Sequence, residues 1–375
     1  QAARLMGCAR REAAFAALLF MSILLFDYTY AGLNDPHLLG QAIQIGGLIL
    51  VLREPRTTAS MALAAFIFVA AFFTKHSLIA QPLAAGLWLL AFDRRNGMKL
   101  AFFGVAWTAV GIAAFAFAFH TSLWSQLNNP RVWLLRYSTH AMAARAPEGL
   151  LPLAASLALL ARFRGDKHVV LCLSYLVVSL LIAAYFLGGA GVGSKALYDA
   201  VIALSLCGGI GVNRLAKLRL WGLRARPLYA ACHFLPVVGI LIYHPVTGTL
   251  PPHWLSRGSA PVVDTERDIA FLKSKDGAVL CNAQPLCYWA GKRAEVDLWG
   301  YEQAVAVGVR DGHELRDAIR QRRYTVLQLA SPPDVLGAPP EVRGAYTESI
   351  SREIEANYRI DHTSFNGAFW VPRTP

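Results

Sequence analysis

From residue 13 to residue 243 the chain is a succession of apolar runs separated by short charged connections. The runs are centred on 13–30, 37–52, 58–74, 77–92, 100–119, 146–161, 169–187, 196–212 and 228–243. A helix that crosses a bilayer needs about 20 mostly apolar residues, with a range of roughly 17–25. Backbone groups in lipid must be satisfied internally, which makes such spans helical. One short run alone could be a buried helix of a water-soluble core. Nine in series predict a polytopic α-helical membrane domain over 1–244, with nine transmembrane helices.

After about residue 245 the pattern changes to that of a small α/β domain, 245–375. Residues 264–275 have helical spacing with Asp264 or Thr265 as N-cap. Residues 278–281 read as a short buried strand, and 285–291 as a helix stopped by Gly291. A helix is expected over 312–322, and the clearest strand, by β-propensity, over 324–329. A Pro-rich loop at 332–340, a helix over 346–356 and a strand near 367–371 complete the domain.

Composition agrees with a membrane protein: 55% of residues are hydrophobic and only 16% charged, against about 25% charged in soluble domains. That excludes a disordered chain, a coiled coil and an ordinary soluble enzyme. The net charge of +12 raises the question of nucleic acid, and its location answers it. Residues 1–244 hold 21 basic and 8 acidic residues, and the tail holds 15 and 16. Within the membrane domain the basic residues alternate. Sixteen lie at Arg4, Arg10, Arg11, Arg53, Arg56, Arg94, Arg95, Lys99, Arg162, Arg164, Lys167, Arg214, Lys217, Arg219, Arg224 and Arg226. The other connections hold five: Lys75, Arg131, Arg136, Arg145 and Lys195. By the positive-inside rule the first set faces the cytoplasm. The α/β domain is then expected outside, in a bacterial periplasm, and no nucleic-acid partner is expected. The chain opens on Gln1 rather than Met, so an N-terminal part is expected upstream.

The polar residues that topology leaves over gather on the outer side. Asp35 precedes Pro36 at the start of a span, followed by His37. It reads either as a helix cap facing water or as a carboxylate that, with His37, holds a metal or the counter-ion of a donor phosphate. Lys75 and His76 fill a turn that leaves almost no loop. Lys75 reads either as an interfacial lysine reaching to water or as a phosphate-binding point charge. The long outer connection 120–146 interleaves Trp124, Trp133 and Tyr137 with Arg131 and Arg136, which suits an amphipathic helix on the membrane or a phosphate clamp. Lys195 is a further outer cation, and Asp199 can neutralise it by helix spacing. Cys281 and Cys287 lie six apart on the oxidising side, where a disulfide and two buried thiols are both open. Cys172, Cys207 and Cys232 fall in spans as packing residues.

Asp35-Pro36 at a span start, Thr74-Lys75 one hairpin later, the glycine loop at Gly188, Gly189, Gly191 and Gly193, and an exterior α/β tail together resemble the GT-C glycosyltransferases. The nearest branch is similar to protein O-mannosyltransferases and the lipid A aminoarabinose transferase. In that family Thr-Lys commonly continues as Gly-Pro, where this chain has His76-Ser77. The resemblance implies transfer of a sugar from a polyprenyl-phosphate donor to a lipid, glycan or protein acceptor at the outer face of the inner membrane. It implies that the main catalytic acid lies upstream of this chain. Asp35 would be a supporting acid that positions the acceptor or, with His37, a divalent metal (Mg or Mn), and Lys75, Arg131, Arg136 and Lys195 would bind the donor phosphate. The competing reading is a non-catalytic transporter or scaffold in envelope glycan assembly, and a third is an O-antigen ligase or polymerase.

Overall fold

The computed structural model describes residues 1–26, 36–120, 130–220, 223–247, 260–329 and 348–374. It divides into two compact units: 1–127 with 133–249, and 128–132 with 250–375.

The first unit is helical. A short α1 (Ala2–Leu5) is followed by α2 (Arg10–Phe26), α3 (Pro36–Leu52), α4 (Thr58–Thr74), α5 (Ala80–Phe92), α6 (Arg94–Phe119), α7 (Leu135–Phe163), α8 (Lys167–Leu187), α9 (Tyr198–Arg214) and α10 (Ala225–Thr247). Local sequence sets several of these starts. Pro36 occupies a first helical position, where it loses no hydrogen bond. Thr57 and Ser60 form a reciprocal capping box on α4. Asp93 and Asp166 accept backbone N–H bonds at the starts of α6 and α8.

Each of the nine apolar runs falls on one of these helices, but among the described residues only four helices are long and apolar enough to cross a membrane. They are α6, α7, α8 and the Ser194–Arg214 helix that ends as α9. The apolar α3, α4 and α5 have 13–17 residues. The side chains of α6 make the membrane assignment physical: Phe102, Val105, Val110, Phe117 and Phe119 all point outward, Phe117 with 83% of its surface exposed. A row of that kind would be an aggregation surface in water, whereas lipid matches it. Close backbone approach packs α9 on α2, since a Cβ at Gly209 would lie 3.0 Å from the Glu12 carbonyl oxygen.

Ion pairs join connections that are far apart in sequence. Arg56 pairs with Asp93 and Glu54 at 3.3 Å each, and Lys167 also pairs with Glu54. Arg214 bonds Asp166 at 2.6 Å, and Arg226 bonds Glu12 at 2.7 Å. These connections are the arginine-rich set, now gathered at one end of the unit.

The second unit is a four-stranded sheet in the order β3-β4-β6-β5. The strands are β3 (Ala278–Cys281), β4 (Tyr324–Leu329), β5 (Tyr358–Ser364) and β6 (Gly367–Pro372). A two-residue ladder, β1 (Arg219–Leu220) with β2 (Leu223–Arg224), precedes them in the first unit. β3 runs parallel to β4, and β6 is antiparallel to both of its neighbours. The helices are α11 (Ala260–Lys273), α12 (Gln284–Trp289), α13 (Leu298–Ala306), α14 (His313–Arg320) and α15 (Glu348–Asn357). Alternation along β4 buries both faces: Leu327 and Leu329 pack with Leu298, Ile319 and Ile354, and Val326 packs with Leu272, Leu286 and Phe369. Strand β5 and helix α13 were not expected from sequence. β5 carries mostly polar residues and is held by its pairing with β6, and α13 is short and is held by the core through Leu298 and Tyr301. The Pro-rich segment 332–340 lies outside the described residues. Cys281 and Cys287 form a disulfide with Cα atoms 6.0 Å apart, which closes β3 onto α12.

Candidate functional site

At the end of the first unit opposite the arginine cluster, α4 stops at Thr74 and Lys75 caps it, its backbone N–H donating to the Ala71 carbonyl at 2.9 Å. The chain turns at once into α5. The ring of His76 meets Phe186 edge-on at 6.2 Å, Phe186 meets Tyr185, and Tyr185 meets Trp133. Trp133 is fixed by an indole N–H bond to the Tyr185 carbonyl at 2.8 Å and lies against Gly188, where a Cβ would sit 2.4 Å from the indole. The glycine loop therefore has a packing reason: Gly188 admits Trp133. The loop leads into a 3-10 turn, Ser194–Leu197, that carries Lys195. The next residue, Tyr198, meets the buried His37 ring edge-on at 5.6 Å.

Beside this turn lies an apolar cavity of about 430 Å3 between α2, α7, α8, α9 and α10. Leu19, Ile23, Leu150, Leu180, Leu204 and Val237 are among its walls, and Ser194, Tyr198, Arg145 and Glu148 also line it. Arg145 and Glu148 are ion-paired at 3.1 Å. His233 also reaches the cavity, held by Ser156 at 3.3 Å and by the Tyr229 carbonyl at 3.1 Å.

The expected site residues fare unequally. Lys75, His76, Lys195 and His37 belong to one unit; ring contacts tie His76 to the end of α8 and, separately, His37 to Tyr198 at the start of α9. Arg136 lies in the first turn of α7, its guanidinium 5.6 Å from the Tyr137 ring. The connection 120–146 is therefore shorter than expected, because α7 begins at Leu135 and runs 29 residues without a break, through Pro147 and Pro152. Arg131 lies apart from these residues in the division of the chain. It belongs to the second unit, where its guanidinium lies 4.9 Å over the Trp299 ring and Val132 N–H donates to the Gln303 side chain. Burial pushes its pKa down. Asp35 lies outside the described residues. Among the described residues, no group of three His, Cys, Asp or Glu side chains converges as a metal site.

Asp199 also differs from expectation. Rather than neutralising Lys195, its carboxylate turns into the helix bundle. There it accepts from the Tyr175 hydroxyl and, at 3.3 Å, from the Gln44 amide. Gln41 faces the same carboxylate, and Gln81 donates to the Tyr175 hydroxyl at 3.3 Å. Four helices, α3, α5, α8 and α9, thus meet in one buried polar cluster. Its signal was present in the sequence as three glutamines within apolar spans, two of them three residues apart on one face of α3.

No protein-family model matches the sequence, and neither a curated protein nor a solved structure matches it significantly.

Proposed function

We propose that the protein is a membrane glycosyltransferase that uses a polyprenyl-phosphate sugar at the outer face of a bacterial inner membrane. All nine apolar helices would span or line the bilayer, and the α/β unit would be extracytoplasmic. The observation that carries this reading is the apolar cavity whose wall includes Ser194 and Leu197, the ends of the turn that holds Lys195. Apolar walls suit an isoprenoid chain, and a lysine beside the mouth suits its phosphate. The phosphate leaves as an anion, so Lys195 and Lys75 would stabilise charge where it develops. The acceptor hydroxyl needs a carboxylate base, and Asp35 is the candidate for a supporting acid.

The reading is tested by sugar transfer in membranes from polyprenyl-phosphate hexoses and pentoses. Asp35→Asn and Lys75→Ala in the full-length protein are expected to abolish transfer at unchanged expression, and normal activity in both would sink the assignment. Gly149→Trp tests the cavity separately. Gly149 lines it, and a Cβ there meets nothing within 4 Å. The variant should accumulate normally but lose transfer by roughly tenfold or more, the effect of ~1.4 kcal/mol of lost donor binding.

The buried Asp199 cluster favours a second reading, an ion-coupled transporter, because ionisable residues inside membrane helices commonly mark ion pathways. Absence of transfer together with ion-dependent uptake of a glycan lipid would select it.

A further inference from the structure

We infer that Asp199, Gln41, Gln44 and Gln81 form a binding site for one monovalent alkali cation, sodium in cells. The inference does not depend on the glycosyltransferase reading.

Two independent observations point to it. The first is charge. Asp199 is buried, and among the described residues no Lys, Arg or His pairs with it; its partners are the neutral Tyr175, Gln44 and Gln41. A buried carboxyl with no cation beside it is costly to ionise, so it takes up either a proton or a counter-cation. The second is a surplus of acceptors. Gln41, Gln44 and Gln81 are 3%, 0% and 1% exposed. The side-chain oxygen of each is buried with no hydrogen-bond donor. Buried polar atoms are almost always partnered, so three orphaned oxygens in one cluster need a common explanation.

Their amides are already placed around the carboxylate. Gln44 reaches it through its nitrogen, and Gln81 is one hydroxyl removed, through Tyr175. Gln41 also faces Asp199, and its amide oxygen finds no donor. Carboxylate and amide oxygens are hard ligands suited to alkali and alkaline-earth ions rather than to soft metals. Charge then chooses between these. One carboxylate and one monovalent ion sum to zero, whereas a divalent ion would leave a net positive charge buried among apolar helices. The same cation would tie α3, α5, α8 and α9 together at their common contact.

The test is binding of radioactive sodium to the full-length protein in lipid nanodiscs, with melting temperatures in sodium chloride and in choline chloride at equal ionic strength. Saturable binding near one ion per chain is expected, together with a higher melting temperature in sodium. Asp199→Asn should lose both effects. Gln44→Leu should fold and bind about tenfold more weakly, the loss typical when one supporting group of a metal site is removed. The proposal is overturned by non-saturable sodium binding to the wild type, by unchanged affinity in Gln44→Leu, or by displacement with magnesium or calcium at concentrations where sodium does not compete. If Asp199→Asn does not accumulate, the wild type and Gln44→Leu decide the matter.

Discussion

At the scale of single residues, the side chains that organise the first unit do so through shape and polarity more than through charge. Gly188 is the clearest case. Its missing Cβ leaves room for Trp133, which anchors the entry of α7 to the end of α8. Gly188→Ala should cost about 1–3 kcal/mol, the usual penalty for overpacking, read as a lower melting temperature with a changed indole emission. Gly188→Ala combined with Trp133→Leu should recover part of the loss, because contacting sites are not additive. Arg131 teaches the opposite lesson. Counted along the chain it is an outer cation like Lys75, but Trp299 takes it into the second unit. A linear reading assigns a charge to a loop; it does not say which unit the loop joins.

At the scale of elements, the ion pairs at the arginine-rich end hold helix starts in place. Burial alone would push the Asp166 carboxyl up. The Arg214 guanidinium and the His168 and Val169 N–H groups outweigh it, and hold the pKa below the usual carboxylate range. Asp93 is likewise held low, by the Asn96 side chain first and, against its partial burial, by the Asn96 N–H and Arg56. A depressed carboxyl contributes stability above its unfolded pKa of about 3.9 and loses it as pH falls toward the folded value. Unfolding in detergent should therefore show a loss of stability beginning near pH 4. Asp166→Asn should lower stability by about 1–3 kcal/mol at neutral pH, the value of a charged hydrogen bond, and should flatten the acid limb. In the second unit, strands β3, β4 and β6 were legible because they are apolar and bounded by turn residues. Strand β5 was not, since Arg359, Asp361 and His362 break its alternation and its register comes from pairing with β6.

At the scale of the molecule, the distribution of charge and the disulfide make a joint statement about compartment. The arginine-rich connections meet at one end of the first unit, and the second unit carries a cystine while Cys8, Cys172, Cys207 and Cys232 are free. Alkylation of the denatured, unreduced protein should modify four cysteines, and all six after reduction; six without reductant would place the second unit in a reducing compartment. A reporter enzyme fused after Pro375 should be active only outside the cytoplasm, and cytoplasmic activity would reverse the proposed orientation.

The sequence by itself determined the class of the molecule: a series of apolar runs, their helical form, the contrast between a basic apolar part and a near-neutral tail, and the principal strands of that tail, while the helix lengths left four candidate spans among the described residues. These depend on composition and periodicity over a few turns, which local physics is enough to enforce. Only the tertiary structure decided which polar groups meet. Gln41, Gln44, Gln81, Tyr175 and Asp199 are spread over about 160 residues, and no local pattern links them. They come together because each is too polar for lipid, so four helices turn those faces inward and leave rows such as that of α6 outside.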